Sequence, residues 1–142
     1  MRSTVFVKYT DFLFLKMYCE KQKAALFGKT GEDKVAQFLR RRGYIIIKRN
    51  WRDKRYGEID IIAENDDYIV FVEVKTRAAH SIVSGAEAVD YGKMHRIKNA
   101  AAMFMKRLNS EKEIRIDVAE VIVYTSGDGS NKWELKYIKS AF

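Results

Sequence analysis

The stretch YIVFVEVKT, Tyr68 to Thr76, limits the possible fold more than any other part of the chain. Successive strand residues point to opposite faces. Ile69 and Phe71 would fill one face here, and Val70, Val72 and Val74 the other. A strand that is apolar on both faces belongs inside a sheet covered on both sides. The chain must therefore supply helices for two layers. KTGEDKVAQFLRRRGY reads as one of them. Thr30 and Asp33 have capping-box spacing, Glu32 and Asp33 suit the positive end of the helix dipole, Arg40 to Arg42 suit the negative end, and Gly43 is a natural stop. Its apolar face carries Val35, Ala36 and Leu39. Stepping back from them by three, four and seven positions places Glu32 on the inward side. A second helix, starting near Ala86 or Lys93, runs to Leu108. Met94, Ile97, Ala101, Phe104, Met105 and Leu108 recur there at helical spacing. Lys93, His95, Arg96, Lys98, Lys106 and Arg107 lie away from those apolar positions.

Four further runs read as strands: YIIIKRNW (Tyr44 to Trp51), EIDIIAE, EIRIDVAEVIVYT and WELKYI. NDD and GDGSN are turns, while RDKRYG and RAAHSIVSG are loops. The order is αβββαββ, an α/β sandwich with a mixed central sheet. With no proline, repeat or low-complexity linker, nothing divides the 142 residues into two folding units. Residues 1–26 fit neither period cleanly: TVFVKY suits a strand and DFLFLKMYCEKQKAALF a helix. Met17 is a candidate initiator, which would make residues 1–16 an extension.

Several classes are excluded early. The single cysteine, Cys19, allows no intrachain disulfide and no cysteine-based zinc site, which fits a reducing, cytoplasmic setting. His80 and His95 are too far apart for an HExxH-type metal pair. No apolar run approaches the roughly 18 residues of a membrane span. The first residues lack a small-residue cleavage site, so no signal peptide and no membrane partner are expected. The net charge of +8 favours a polyanionic partner, either nucleic acid or an anionic membrane surface.

Within the apolar strand, Glu73 and Lys75 share a face, and Asp60 interrupts EIDIIA in the preceding strand. Charges on a covered face are costly unless paired with each other, a metal or a ligand. A two-residue turn at Asn65 and Asp66 would set Asp60 opposite Phe71. Asp60 would then be diagonal to Glu73 on the same face, within reach of one shared cation. Mg²⁺ is commonly held by one or two carboxylates and by substrate phosphate oxygens. Asp60 and Glu73 are the candidate ligands, with the carbonyl of Val74 as a further oxygen. Lys75 would orient or deprotonate an attacking water, or stabilise the pentavalent phosphate. Glu32 could bind a second cation or position that water. An isolated E-x-K can also be a simple salt bridge at a strand end. The full set of inward acid on a helix, acid in a strand, turn and E-x-K in an apolar strand favours a site.

In that order these residues resemble the PD-(D/E)XK nuclease superfamily. More closely, GEDKVAQFLRRRGYIIIKRNWR, GEIDIIAENDDYIVFVEVKTR, EAVDYGKMHRIKNAAAMF and RIDVAEVI resemble the bacterial YraN-type endonuclease-like family. The resemblance runs from about Phe27 to Phe142 and leaves residues 1–26 as an N-terminal extension. It implies a restriction-endonuclease-like αβββαβ fold, similar to archaeal Holliday junction resolvases. It also implies Glu32, Asp60, Glu73 and Lys75 as the site.

Three functional readings follow. The first is a Mg²⁺- or Mn²⁺-dependent endonuclease acting on DNA, on branched or otherwise structured sites, by shape and backbone rather than base readout. The second is a nucleic-acid-binding protein that keeps the fold without turnover. The third is an interaction protein whose basic face serves another partner. Arg52, Arg55, Arg77, Lys93 and Arg96 are the candidate backbone contacts, whereas Trp51 is expected in the core. Related resolvases suggest a homodimer, with residues 12–18 in its interface.

Overall fold

The computed structural model describes residues 9–81 and 91–141. Two helices, α1 (Tyr9–Arg41) and α2 (Tyr91–Leu108), enclose a five-stranded sheet. Its strands are β1 (Ile45–Asp53), β2 (Gly57–Glu64), β3 (Tyr68–Ala78), β4 (Glu113–Thr125) and β5 (Asn131–Ile138), in that spatial order. Only β3 and β4 run parallel; the other neighbours are antiparallel. A parallel pair needs a crossover, and α2 lies within it. The mixed α/β sandwich expected from the sequence is therefore the fold adopted.

The centre of the sheet is the stretch read first. Val70 and Val72 of β3 pack with Val35, Ala36 and Leu39 of α1. Ile69 and Phe71 pack with Ile97, Ala100, Ala101 and Phe104 of α2. Each of these four β3 side chains is fully buried, and burying a side chain of this size stabilises a fold by about 1.5–3 kcal/mol. Trp51 is half-buried as expected, edge-on to Phe104 at 5.3 Å. Among the described residues, no helix is long and apolar enough to cross a membrane.

The structure corrects three local readings. The helix expected to start at Thr30 instead runs unbroken for 33 residues, Tyr9–Arg41. Thr30 is no cap: its hydroxyl donates back to the carbonyl of Leu26 at 2.9 Å, the i−4 bond threonine makes inside helices. The run EKQKAAL is rich in strong helix formers, which outweigh Gly28 and Gly31. Second, β3 continues to Ala78 because β4 pairs with it over eleven positions, Tyr68↔Glu113 to Ala78↔Val123. Third, the β2–β3 register lies two residues from the expected one, with Ile62 rather than Asp60 opposite Phe71. The turn spans Asn65 to Tyr68. Asn65 Oδ1 accepts the N–H groups of Asp67 and Tyr68 at 3.1 and 2.8 Å. A shift of two preserves side-chain parity. The strand reading of residues 4–8, the helix start at Ala86 and the side chains of residues 12–15 lie outside the described residues.

Candidate active site

The site forms where two strands break their alternation at the same level. Asn50 has φ 48°, a left-handed conformation that asparagine tolerates better than most residues. On one side of it, Arg49 reaches α1; on the other, Trp51 packs toward α2. In β2, Ile61 belongs to the α1-side core and Ile59, two residues away, to the α2-side core. Asp60 lies between them, opposite Asn50 by the register Arg49↔Ile61 and Trp51↔Ile59. The β2–β3 ladder stops at Ile61↔Val72, after four pairs. Beyond it, the carboxylate of Asp60 accepts the N–H of Val74 at 2.7 Å. Asp60 and Glu73 come together at this end of the ladder: the charge of Glu73 reaches Asp60, and both line one cleft.

Asp60 and Glu73 line a cleft of about 490 Å³ on the α2 side, together with Lys54, Arg55, Tyr56, Glu58, Lys93 and Arg96. Glu73 is only 7% exposed. Its Oε1 receives the ammonium of Lys93. Burial, reinforced by the charges of Glu73 and Glu32, pushes the Asp60 carboxyl up to about 6; the Val74 N–H and Lys93 pull the other way. Two acids held this close under cover repel each other, and a bound cation would relieve that repulsion. The donor set suits Mg²⁺, which needs only one or two protein carboxylates.

The other expected site residues divide. Lys75 is half-buried on β3, two positions beyond Glu73 and in register with Glu120. Glu32 lies on the α1 side, where Asn50 Nδ2 donates to it at 3.2 Å and Arg49 Nη2 stands at 3.5 Å. Its charge reaches Asp60, yet it lines a separate hollow with Arg49 and Asn50. Among the described residues, no three histidine, cysteine, aspartate or glutamate side chains are grouped to hold one metal. Gly31 lets α1 approach this end of β3: a Cβ there would stand 2.0 Å from Thr76 Oγ1. Of the expected nucleic-acid contacts, Arg55, Lys93 and Arg96 line the cleft. Arg52 is exposed and paired with Glu58 at 3.0 Å, and Arg77 is half-buried opposite Ile122. Lys93, expected away from the apolar positions of its helix, is exposed in the first turn of α2, and its ammonium reaches Glu73.

Sequence reasoning missed Asn50 and also a second buried acid, Asp117 on β4, which is 0% exposed. Arg115 holds it with Nε at 2.9 Å and Nη2 at 2.8 Å, Tyr137 donates its hydroxyl at 2.7 Å, and the N–H of Ser140 donates at 2.9 Å. Arg115 also donates to Tyr44 Oη at 2.9 Å. The bond to Asp117 holds the Arg115 guanidinium more firmly in its charged form. Burial, with help from Asp117, raises the Tyr137 hydroxyl above the ordinary tyrosine range. The signal was available: an acid inside the apolar run EIRIDVAEVIV.

The fold and cleft define a mixed α/β protein, consistent with a nuclease-like architecture, that presents two adjacent acids beneath a basic rim. The chain belongs to the family described as "Uncharacterised protein family UPF0102", whose model matches residues 31–121. This is the family to which the YraN-type resemblance points. Similar relatives include a UPF0102 protein of Dictyoglomus turgidum, 41% identical over 116 residues, covering 81% of this chain and 95% of the relative. A UPF0102 protein of Clostridium botulinum is 39% identical over 127 residues, 88% of this chain and 97% of the relative. A third, from Acetivibrio thermocellus, is 40% identical over 117 residues, 81% and 89% of the two chains.

Proposed function

We propose that this protein is a metal-dependent endonuclease of the PD-(D/E)XK type that hydrolyses DNA phosphodiester bonds. The observation that carries the reading is the pairing of Asp60 with the buried Glu73 in a cleft rimmed by Lys54, Arg55, Lys93 and Arg96. The basic rim draws in the phosphate backbone and fixes its register without reading bases. Asp60 and Glu73 would hold the Mg²⁺ or Mn²⁺, with the Val74 carbonyl as a further oxygen. When bound, such a cation polarises the scissile phosphate and lowers the pKa of water. Lys75 orients the attacking water from the same strand face as Glu73. Glu32 acts from across the sheet: its charge helps raise Asp60 and so sharpens the need for a cation. Open, structured DNA suits a cleft whose described rim offers backbone contacts.

The test is cleavage of labelled linear, flapped and four-way-junction DNA in Mg²⁺ or Mn²⁺. The wild type is expected to cut, and Asp60→Ala, Glu73→Ala and Lys75→Ala to lose at least about 100-fold in rate. Activity surviving all three substitutions would refute this site.

One observation favours a second reading. Lys93 already compensates Glu73, and no third acid joins the pair among the described residues. On that reading the protein binds nucleic acid without cutting it. It would then show salt-dependent DNA binding with no cleavage in either metal.

A further inference from the structure

Lys93 stands exposed in the first turn of α2, one turn before the buried Ile97 and two turns before Ala100. Its ammonium reaches β3, where it meets Glu73 Oε1. Glu73 is the more deeply covered acid of the pair, and a covered carboxylate is costly without a counter-charge. Lys93 itself is not locked away: its side chain is 46% exposed and borders the cleft beside Arg96. A lysine stem is flexible and its ammonium acts as a point charge, so it can serve a carboxylate or a phosphate at nearly the same place. It cannot serve both at once with full strength.

We propose that Lys93 is a positioning residue that holds the place of the divalent cation on Glu73 and exchanges it for nucleic-acid phosphate. The inference rests on the nuclease reading above. A cation arriving at Glu73 releases the ammonium toward the cleft. A phosphate arriving in the cleft draws the ammonium off Glu73 and opens that carboxylate to the cation. Each ligand thereby raises the affinity for the other, and the coupling is reciprocal. In the resting protein the lysine keeps stray divalent cations off Glu73, so the site loads when DNA is present. No bond is made or broken in this exchange; one cationic partner of Glu73 replaces another.

The experiment is Mn²⁺ titration of the full-length protein followed by electron paramagnetic resonance, with and without a short phosphorothioate duplex that resists cleavage. Lys93→Met is expected to bind Mn²⁺ about tenfold tighter than wild type without DNA, within the usual range of such couplings. Lys93→Arg, which keeps the charge, should stay near the wild type. The duplex should tighten Mn²⁺ binding to the wild type and leave Lys93→Met nearly unchanged. Lys93→Gln repeats the test should methionine disturb the start of α2, and Glu73→Gln in the Lys93→Met background should abolish the gain. Mn²⁺ affinity that is the same in wild type and Lys93→Met overturns the exchange while leaving the nuclease reading in place. Absence of Mn²⁺ binding in every protein, with or without duplex, removes the nuclease reading and the exchange together.

Discussion

Two acids on this sheet, the fully buried Asp117 and the half-buried Asp60, are treated in opposite ways. Asp117 accepts from Nε and Nη2 of Arg115, from the hydroxyl of Tyr137 and from the backbone of Ser140. Asp60 accepts the backbone N–H of Val74 and faces the charges of Glu73 and Glu32. The first carboxylate is saturated and the second is left in need of positive charge. A saturated acid holds the fold together, whereas an under-compensated one is available to a ligand. Arg115 also lies over the Tyr68 ring at 4.9 Å, so the Asp117 cluster ties the start of β3 to the end of β5.

The largest effect expected from this contrast is on stability. Asp117→Ala should cost about 3–5 kcal/mol in chemical denaturation, because it strands the nearly covered Arg115 charge. A loss below about 1 kcal/mol would mean that the two acids are not so different. Asp60→Asn should do the reverse. Its raised pKa means that folding disfavours the ionised form, so removing the charge should stabilise the cation-free protein at pH 7. The shift from 3.8 to about 6 sets an upper bound of about 3 kcal/mol, and partial exposure reduces this to about 1–2. The same substitution should abolish cleavage, a trade between stability and activity common at functional sites.

The smallest effect is the pH dependence of that gain. A carboxyl raised in the folded state destabilises it above the folded pKa and has no such effect below the unfolded one. The Asp60 penalty is therefore complete above about pH 6 and fades as pH falls toward 3.8. The difference in melting temperature between Asp60→Asn and wild type should shrink over that window. A constant difference from pH 7 to pH 4 would place its origin in packing rather than in charge.

Much of this could be read in the sequence, and for a physical reason. Period-two alternation made β3 a central strand, and charges inside an apolar run marked Asp60, Glu73 and Lys75. The same signal was present at Asp117, which was passed over and which has a structural role. Pattern shows that an acid is covered; only its partners, brought from distant elements, show whether it is satisfied. The β2–β3 register was misplaced because Asn65 closes its own turn with side-chain bonds, which strand pattern does not express. The break at Asn50 and Asp60 was invisible because it depends on one backbone angle. The unbroken α1 was missed because residues 16–26 are exposed, with Met17, Tyr18 and Leu26 in solvent, and so carry no buried stripe to read.

The bond from Val74 N–H to Asp60 has one more consequence. Where the β2–β3 ladder ends, a main-chain proton is held by a side chain that changes charge and is a candidate to change partners. Its exchange with solvent and its nuclear resonance should follow the protonation and occupancy of the cleft, while the amides of the long β3–β4 ladder follow the stability of the sheet. The protein thus carries a native spectroscopic reporter at position 74, able to register a ligand of the acid pair without a label or a reaction.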